Sequence, residues 1–158
     1  MVNEAGESTV VVDPAPWADA PWMVHALNEL GQRELPGDAE NPRVHAYYAS
    51  VIGEERSSHL HDDTTPWCSA FANWCMQHYG PGSGSLSARS WTHWGIPSER
   101  RMGCVVVFSR PPDPSHGHVA FYTGEHADSL LVLGGNQGNS VSIKPYAKTR
   151  VIGYRWPG

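Results

Sequence analysis

The sequence predicts an α+β domain, with helices in the N-terminal half and an antiparallel meander in the C-terminal half. Three observations carry that expectation. Up to about residue 94, apolar residues recur at helical spacing between recognisable start and stop signals. Beyond Gly103 the pattern changes to short β-prone runs divided by turn clusters rich in Gly, Pro, Asn and Asp. The length of 158 residues, with 40% hydrophobic and 17% charged side chains, suits one folded core and excludes a disordered tail or a coiled coil.

Residues 1–18 read as an arm, with Val10-Val11-Val12 followed by Asp13-Pro-Ala-Pro, and residues 19–158 as a single domain. Asp19 is placed to cap a first helix with Pro21 in its opening turn, and Met23, Ala26, Leu27 and Leu30 form its apolar stripe before Gly31. Asn41 followed by Pro42 is an N-cap and a first-turn proline, and Val44, Tyr47, Tyr48 and Val51 continue helically to a stop at Gly53. A polar loop spans 54–64. Thr65 then caps a third helix that begins at Pro66 and runs through Phe71, Trp74, Cys75 and Tyr79 to Gly80. A short fourth helix covers Ala88 to Trp94. About five strands are expected at Cys104–Ser109, His118–Thr123, Leu130–Leu133, Val141–Ile143 and Val151–Trp156.

Charge and composition exclude several function classes. Residues 1–84 carry 3 basic and 12 acidic side chains, residues 85–158 carry 8 basic and 4 acidic, and only two of the eleven basic residues are Lys. Without a Lys/Arg run, no nucleic-acid partner is expected. Aliphatic runs such as Val105–Phe108 are far too short to span a bilayer, so no membrane insertion is expected. The acidic N-terminus lacks the apolar stretch of a signal peptide, which implies synthesis in the cytoplasm.

Three cysteines, Cys68, Cys75 and Cys104, leave at least one free thiol. Cys68 stands out. As the third residue of the helix opened by Thr65, its sulfur meets unpaired N–H groups and the positive end of the helix dipole, which favour the nucleophilic thiolate. The same position also suits a small apolar residue packed at a helix start. Cys75 and Cys104 read as core. Of nine histidines, His118 differs by opening the strand Val119-Ala-Phe-Tyr-Thr, where a rigid element holds its ring at the sheet edge, close to a helix packed on the sheet. Asn136 and Gln137, after Leu130–Leu133, are candidates to orient that imidazole, although Gly134-Gly-Asn-Gln-Gly138 also reads as a plain hairpin turn. His59-Leu-His61-Asp62-Asp63 and His116-Gly-His118 each offer two imidazoles, yet there is no His-Glu-x-x-His and no Cys-x-x-Cys. No metal and no other cofactor is expected.

Taken in order, Thr65-Pro-Trp-Cys68-Ser-Ala-Phe-Ala-Asn-Trp-Cys75, Ser87-Ala-Arg-Ser-Trp91, Gly117-His118-Val-Ala-Phe-Tyr122 and Leu133-Gly-Gly-Asn136-Gln resemble the CHAP and NlpC-type cysteine peptidases, papain-like hydrolases of peptidoglycan. Pro21-Trp22 and Gly153-Tyr-Arg-Trp156 resemble the two ends of a small bacterial and phage group, so the likeness spans roughly residues 20–157. It implies a papain-like fold with N-terminal helices on a C-terminal antiparallel sheet. It also implies Cys68 as nucleophile and His118 as general base and then acid. Many CHAP members carry a Glu two residues before the Asn on this strand, and here that position is Gly134. The orienting role therefore goes to Asn136, with Gln137 as second choice. Trp67, Arg89, Trp94 and Gln137 are expected to contact substrate, with Arg89 gripping a stem-peptide carboxylate. Core packing is the expectation for Trp74 and Trp91.

The resemblance implies a hydrolase of stem-peptide or cross-link amides, acting in the wall as an antibacterial effector delivered by type VI secretion or as a phage lysin. The injected form would have a cognate immunity protein or a secretion-apparatus partner. The alternatives are a peptidase or deamidase acting on a protein, and a non-catalytic binding module that keeps the fold.

Overall fold

A computed structural model describes residues 12–35, 41–54, 66–113 and 115–158. The helical layer contains α1 (Trp22–Asn28), α2 (Pro42–Ile52) and α3 (Cys68–Met76). The sheet contains β1 (Ile96–Pro97), β2 (Val105–Ser109), β3 (Gly117–His126), β4 (Ser129–Gly134), β5 (Ser142–Ala147) and β6 (Val151–Trp156). Its order is β1-β6-β2-β3-β4-β5, and every described pairing is antiparallel. This is the expected α+β arrangement with one further strand. β1 has two residues, one of them proline, too short to show a period in sequence.

Local chemistry accounts for the helix ends. The Asn41 side chain accepts a hydrogen bond from Arg43 N at 2.8 Å, and Gly53 ends α2 at φ +84°. α1 starts one residue after Pro21, and Asp19 lies outside it. The third helix differs from expectation. Thr65 lies outside the described residues, and the helix begins at Cys68, with Trp67 in the capping position at φ −128°, ψ 18°. It ends at Met76, short of Gly80. Residues Ala88–His93 form a 3₁₀ rather than an α-helix. The loop expected at 54–64, with His59 and His61, falls outside the described residues except for Glu54. The end of the expected arm makes a 3₁₀ turn at Ala15–Trp17, whose Trp17 packs on the core.

Both faces of the sheet are covered. Val105, Val107, Val119, Phe121 and Leu133 pack against the helices. Cys104, Val106, Phe108, Ala120, Tyr122, Leu130 and Val132 form a second cluster with Tyr146, Val151, Tyr154 and Trp156. That is why Val105–Phe108 reads as an unbroken apolar run. The rings of Phe108 on β2 and Tyr146 on β5 lie 5.1 Å apart although β3 and β4 intervene in the sheet order. The sheet is therefore curled towards a half-barrel, and the concave side is filled by its own side chains.

Candidate active site

α3 delivers Cys68 as its first residue. The first bond of that helix runs from Phe71 N to Trp67 O at 3.0 Å, so the N–H groups of the opening turn have no partner within the helix. Cys68 is 7% exposed and faces a cleft of about 320 Å³, lined in part by Pro66, Leu86, Arg110, His116 and Gly117. Burial pushes its thiol above the usual thiol range. Backbone hydrogen bonding from Val119, the Arg110 charge and the Ser69 and Cys68 N–H groups oppose that rise without cancelling it. Helix-start geometry thus does not by itself produce the resting thiolate that the sequence suggested, because desolvation outweighs it.

The hydrogen bond from Val119 ties the thiol to β3 beside His118. The register Phe108↔His118 and Ser109↔Gly117 places His118 on the middle of the sheet, and its ring is wholly buried instead of lying at an edge. Tyr146 stacks on that ring at 4.7 Å and 11°, and Phe108 lies 6.1 Å away. His118 Nε2 is 2.8 Å from Gln137 Oε1. Gln137 Nε2 donates to Val132 O at 3.1 Å and to Ser142 O at 2.8 Å. Carbonyl oxygens only accept, so these two bonds fix which end of the amide faces the ring. The ring must then carry its proton on Nε2, leaving Nδ1 with a bare lone pair. Nδ1 is the one buried side-chain nitrogen or oxygen without a hydrogen-bond partner among the described residues. Burial lowers the His118 pKa to about 4; the Gln137 bond works upward, and the Arg110 and Arg150 charges push further down.

The residue on the imidazole is therefore Gln137 and not Asn136. Asn136 adopts φ +58° in the turn and makes no side-chain hydrogen bond to the ring, whereas the Gln137 side chain folds back under β4. The reason is visible at Gly134. A Cβ there would stand 2.5 Å from Gln137 Oε1 and 2.9 Å from Ala120 Cβ. The absence of a side chain at 134, which looked like the loss of an acidic orienter, makes room for the amide three residues later.

Other expected contacts are redistributed. Trp67 does not line the cleft: it is fully buried, its indole N–H donates to Glu34 Oε1 at 2.8 Å, and its ring stacks on Tyr47 at 5.8 Å. Gly135 packs directly under it, since a Cβ there would come within 2.9 Å of the indole. Trp94 donates from Nε1 to Pro81 O at 3.0 Å and lies in a different depression, beside Tyr79 and Pro157. Arg89 Nε is taken by His116 O at 3.0 Å. Gln137, 1% exposed, is too deep to touch a ligand in the cleft. Trp91 is core, with its indole N–H on Ser69 Oγ at 2.9 Å. Arg110 and Tyr146 were not singled out in sequence. The β2–β3 hairpin register, which sets residue 110 near 116, is the signal that points to Arg110.

A cysteine opening a helix against a histidine-bearing antiparallel strand, with an amide behind the imidazole, defines a papain-like α+β protein. The family model for the CHAP domain matches residues 60–136, just under half of the chain, and that match together with the α+β fold is consistent with a CHAP-type papain-like peptidase. CHAP domains are typically cysteine amidases or endopeptidases, which makes hydrolysis and a peptidoglycan-related role the general expectation for this chain. The matched segment holds Cys68 and His118 and stops one residue before Gln137. No curated protein and no solved structure matches the chain. Among the described residues no cluster of three metal-binding side chains exists, and no helix is long and apolar enough to cross a membrane.

Proposed function

We propose that this chain hydrolyses amide bonds in the stem peptides or cross-links of peptidoglycan through a cysteine thioester. The observation that carries the reading is the partnerless His118 Nδ1, bare by the logic of the Gln137 amide, on the strand whose next residue, Val119, hydrogen-bonds the Cys68 thiol through its backbone. A buried acceptor left unsatisfied costs stability, so its place next to a nucleophile has a chemical purpose. His118 Nδ1 takes the thiol proton as Cys68 Sγ attacks the amide carbonyl carbon. The oxyanion draws on the Cys68 N–H at the helix start. The C–N bond then breaks, and the imidazolium returns its proton to the leaving amine. Water adds to the thioester with His118 again as base, releasing the acid and the free thiol. Gln137 holds the ring and its tautomer but brings no negative charge to the imidazolium.

Mass spectrometry of purified peptidoglycan digested with the wild type and with Cys68→Ala tests this. New peptide fragments from the wild type alone are expected, and their masses name the scissile bond. Intact wall in both digests, with the fold retained by circular dichroism, overturns the reading. Action in the wall, as an effector or a lysin, further predicts lysis when the chain is exported to the periplasm and none when it stays in the cytoplasm.

A further inference from the structure

Arg110 directly follows β2 and lines the cleft that Cys68 faces. Among the described residues no ion pair joins it to a carboxylate, and no Asp or Glu lines that cleft. The neighbouring acid is already engaged: Asp113 Oδ1 accepts from Ser115 N at 2.9 Å and from Ser115 Oγ at 2.7 Å, and its other oxygen is 3.6 Å from His116 Nδ1. Arg89, the other arginine near the cleft, has its Nε on His116 O and its side chain against Gly117. The rest of the lining is mostly apolar or small, including Pro66, Leu86, Ala88 and Gly117. A lone guanidinium over such a surface, beside the nucleophile, matches a planar anion.

We propose that Arg110 anchors a free carboxylate of the substrate next to the scissile amide, so that this cleft selects carboxylate-bearing stem peptides over their amidated counterparts. The proposal rests on the cleft being the acyl-transfer site. It also gives the bound carboxylate a second effect. The Arg110 charge is felt at Cys68, His118 and Tyr146 alike, and it opposes a proton on the imidazole. A carboxylate neutralising that charge makes His118 a stronger base when substrate is in place.

Two probes of equal size and different charge test the site without any peptide. Iodoacetate and iodoacetamide alkylate the same thiolate, so the ratio of their rates cancels any change in Cys68 ionisation. The modified residue is identified by peptide mapping against Cys68→Ala. Normalised to the ratio for glutathione, the wild type should favour iodoacetate by roughly ten- to hundredfold, the range of a hydrogen bond to a charged group. Arg110→Gln should return the ratio to that of glutathione, and Arg110→Lys should restore part of it. Equal ratios in wild type and Arg110→Gln overturn the proposal. On synthetic stem peptides that differ only in a free or amidated carboxylate beside the scissile bond, the wild type should show the same preference in kcat/KM and Arg110→Gln should lose it. A preference kept by Arg110→Gln overturns the assignment. If the wall is untouched while the reagent preference persists, the hydrolase reading falls and the carboxylate site stands.

Discussion

Cys68 and His118 form a neutral pair at pH 7, since burial raises the thiol and lowers the imidazole. In the proposed mechanism the proton passes from Cys68 to His118 only as a substrate accepts the sulfur. The acid limb of kcat/KM should therefore fall near pH 4, well below the 6.5 of a free imidazole. A pH profile with its acid limb at 6 to 7 would contradict the burial of His118. Stability follows the same group. The folded pKa is depressed, so the native state prefers neutral histidine; that preference is complete above about 6.5, erodes as pH falls towards 4 and is gone below it. The loss is roughly 3 kcal/mol, read as a pH-dependent drop in unfolding midpoint that His118→Gln should lack. At this scale the places of Cys68 at a helix start and of His118 near a strand start were legible, because both are sequence signals. Choosing between Asn136 and Gln137 was not, because their roles are decided by which side chain folds back under β4.

At the scale of elements, β4 and the turn after it operate as a unit. Gln137 is fixed by Val132 O, Ser142 O and its own backbone bond to Ser140 O at 2.9 Å, so it has no slack to yield to a new side chain at 134. Gly134→Ala should displace the amide from His118. We expect kcat/KM to fall about ten- to hundredfold, as for Gln137→Ala, the cost of one buried hydrogen bond to the imidazolium. The two changes should not add in the double variant, because both break the same contact. Additive losses would mean that Gly134 acts elsewhere. Elements were legible where caps and periods were local: Asn41, Pro42 and Gly53 bound α2 as expected. They were misjudged where tertiary partners decide. Trp67 looked like a groove residue because it precedes the nucleophile. The helix, however, starts at Cys68, two residues later than expected, and Trp67 turns inward to Glu34 and Tyr47 instead of outward with the thiol.

At the scale of the whole molecule, curling of the sheet brings the last part of the site into place. β5 is the edge strand beyond β4, and in a flat sheet Tyr146 would be too far from β3 to touch His118. Because the sheet curls, its ring stacks on the imidazole, two strands away, and meets Phe108, one strand further still. No sequence period reports curvature, and Tyr146 lies beyond the strand expected at Val141–Ile143. The observed β5 runs on through Ala147. The stack shields His118 from water and holds its plane, which makes Tyr146 a positioning residue. Tyr146→Phe keeps the ring and should keep the acid limb of the pH profile where it is. Tyr146→Ala should admit water, let the His118 pKa climb from about 4 towards 6.5 and lower kcat more than it raises KM. Titration of the His118 ring by NMR in the three proteins separates this from mere loss of stability. An unchanged pKa in a folded Tyr146→Ala would show that burial by the rest of the half-barrel is enough, and that β5 has no part in setting the base.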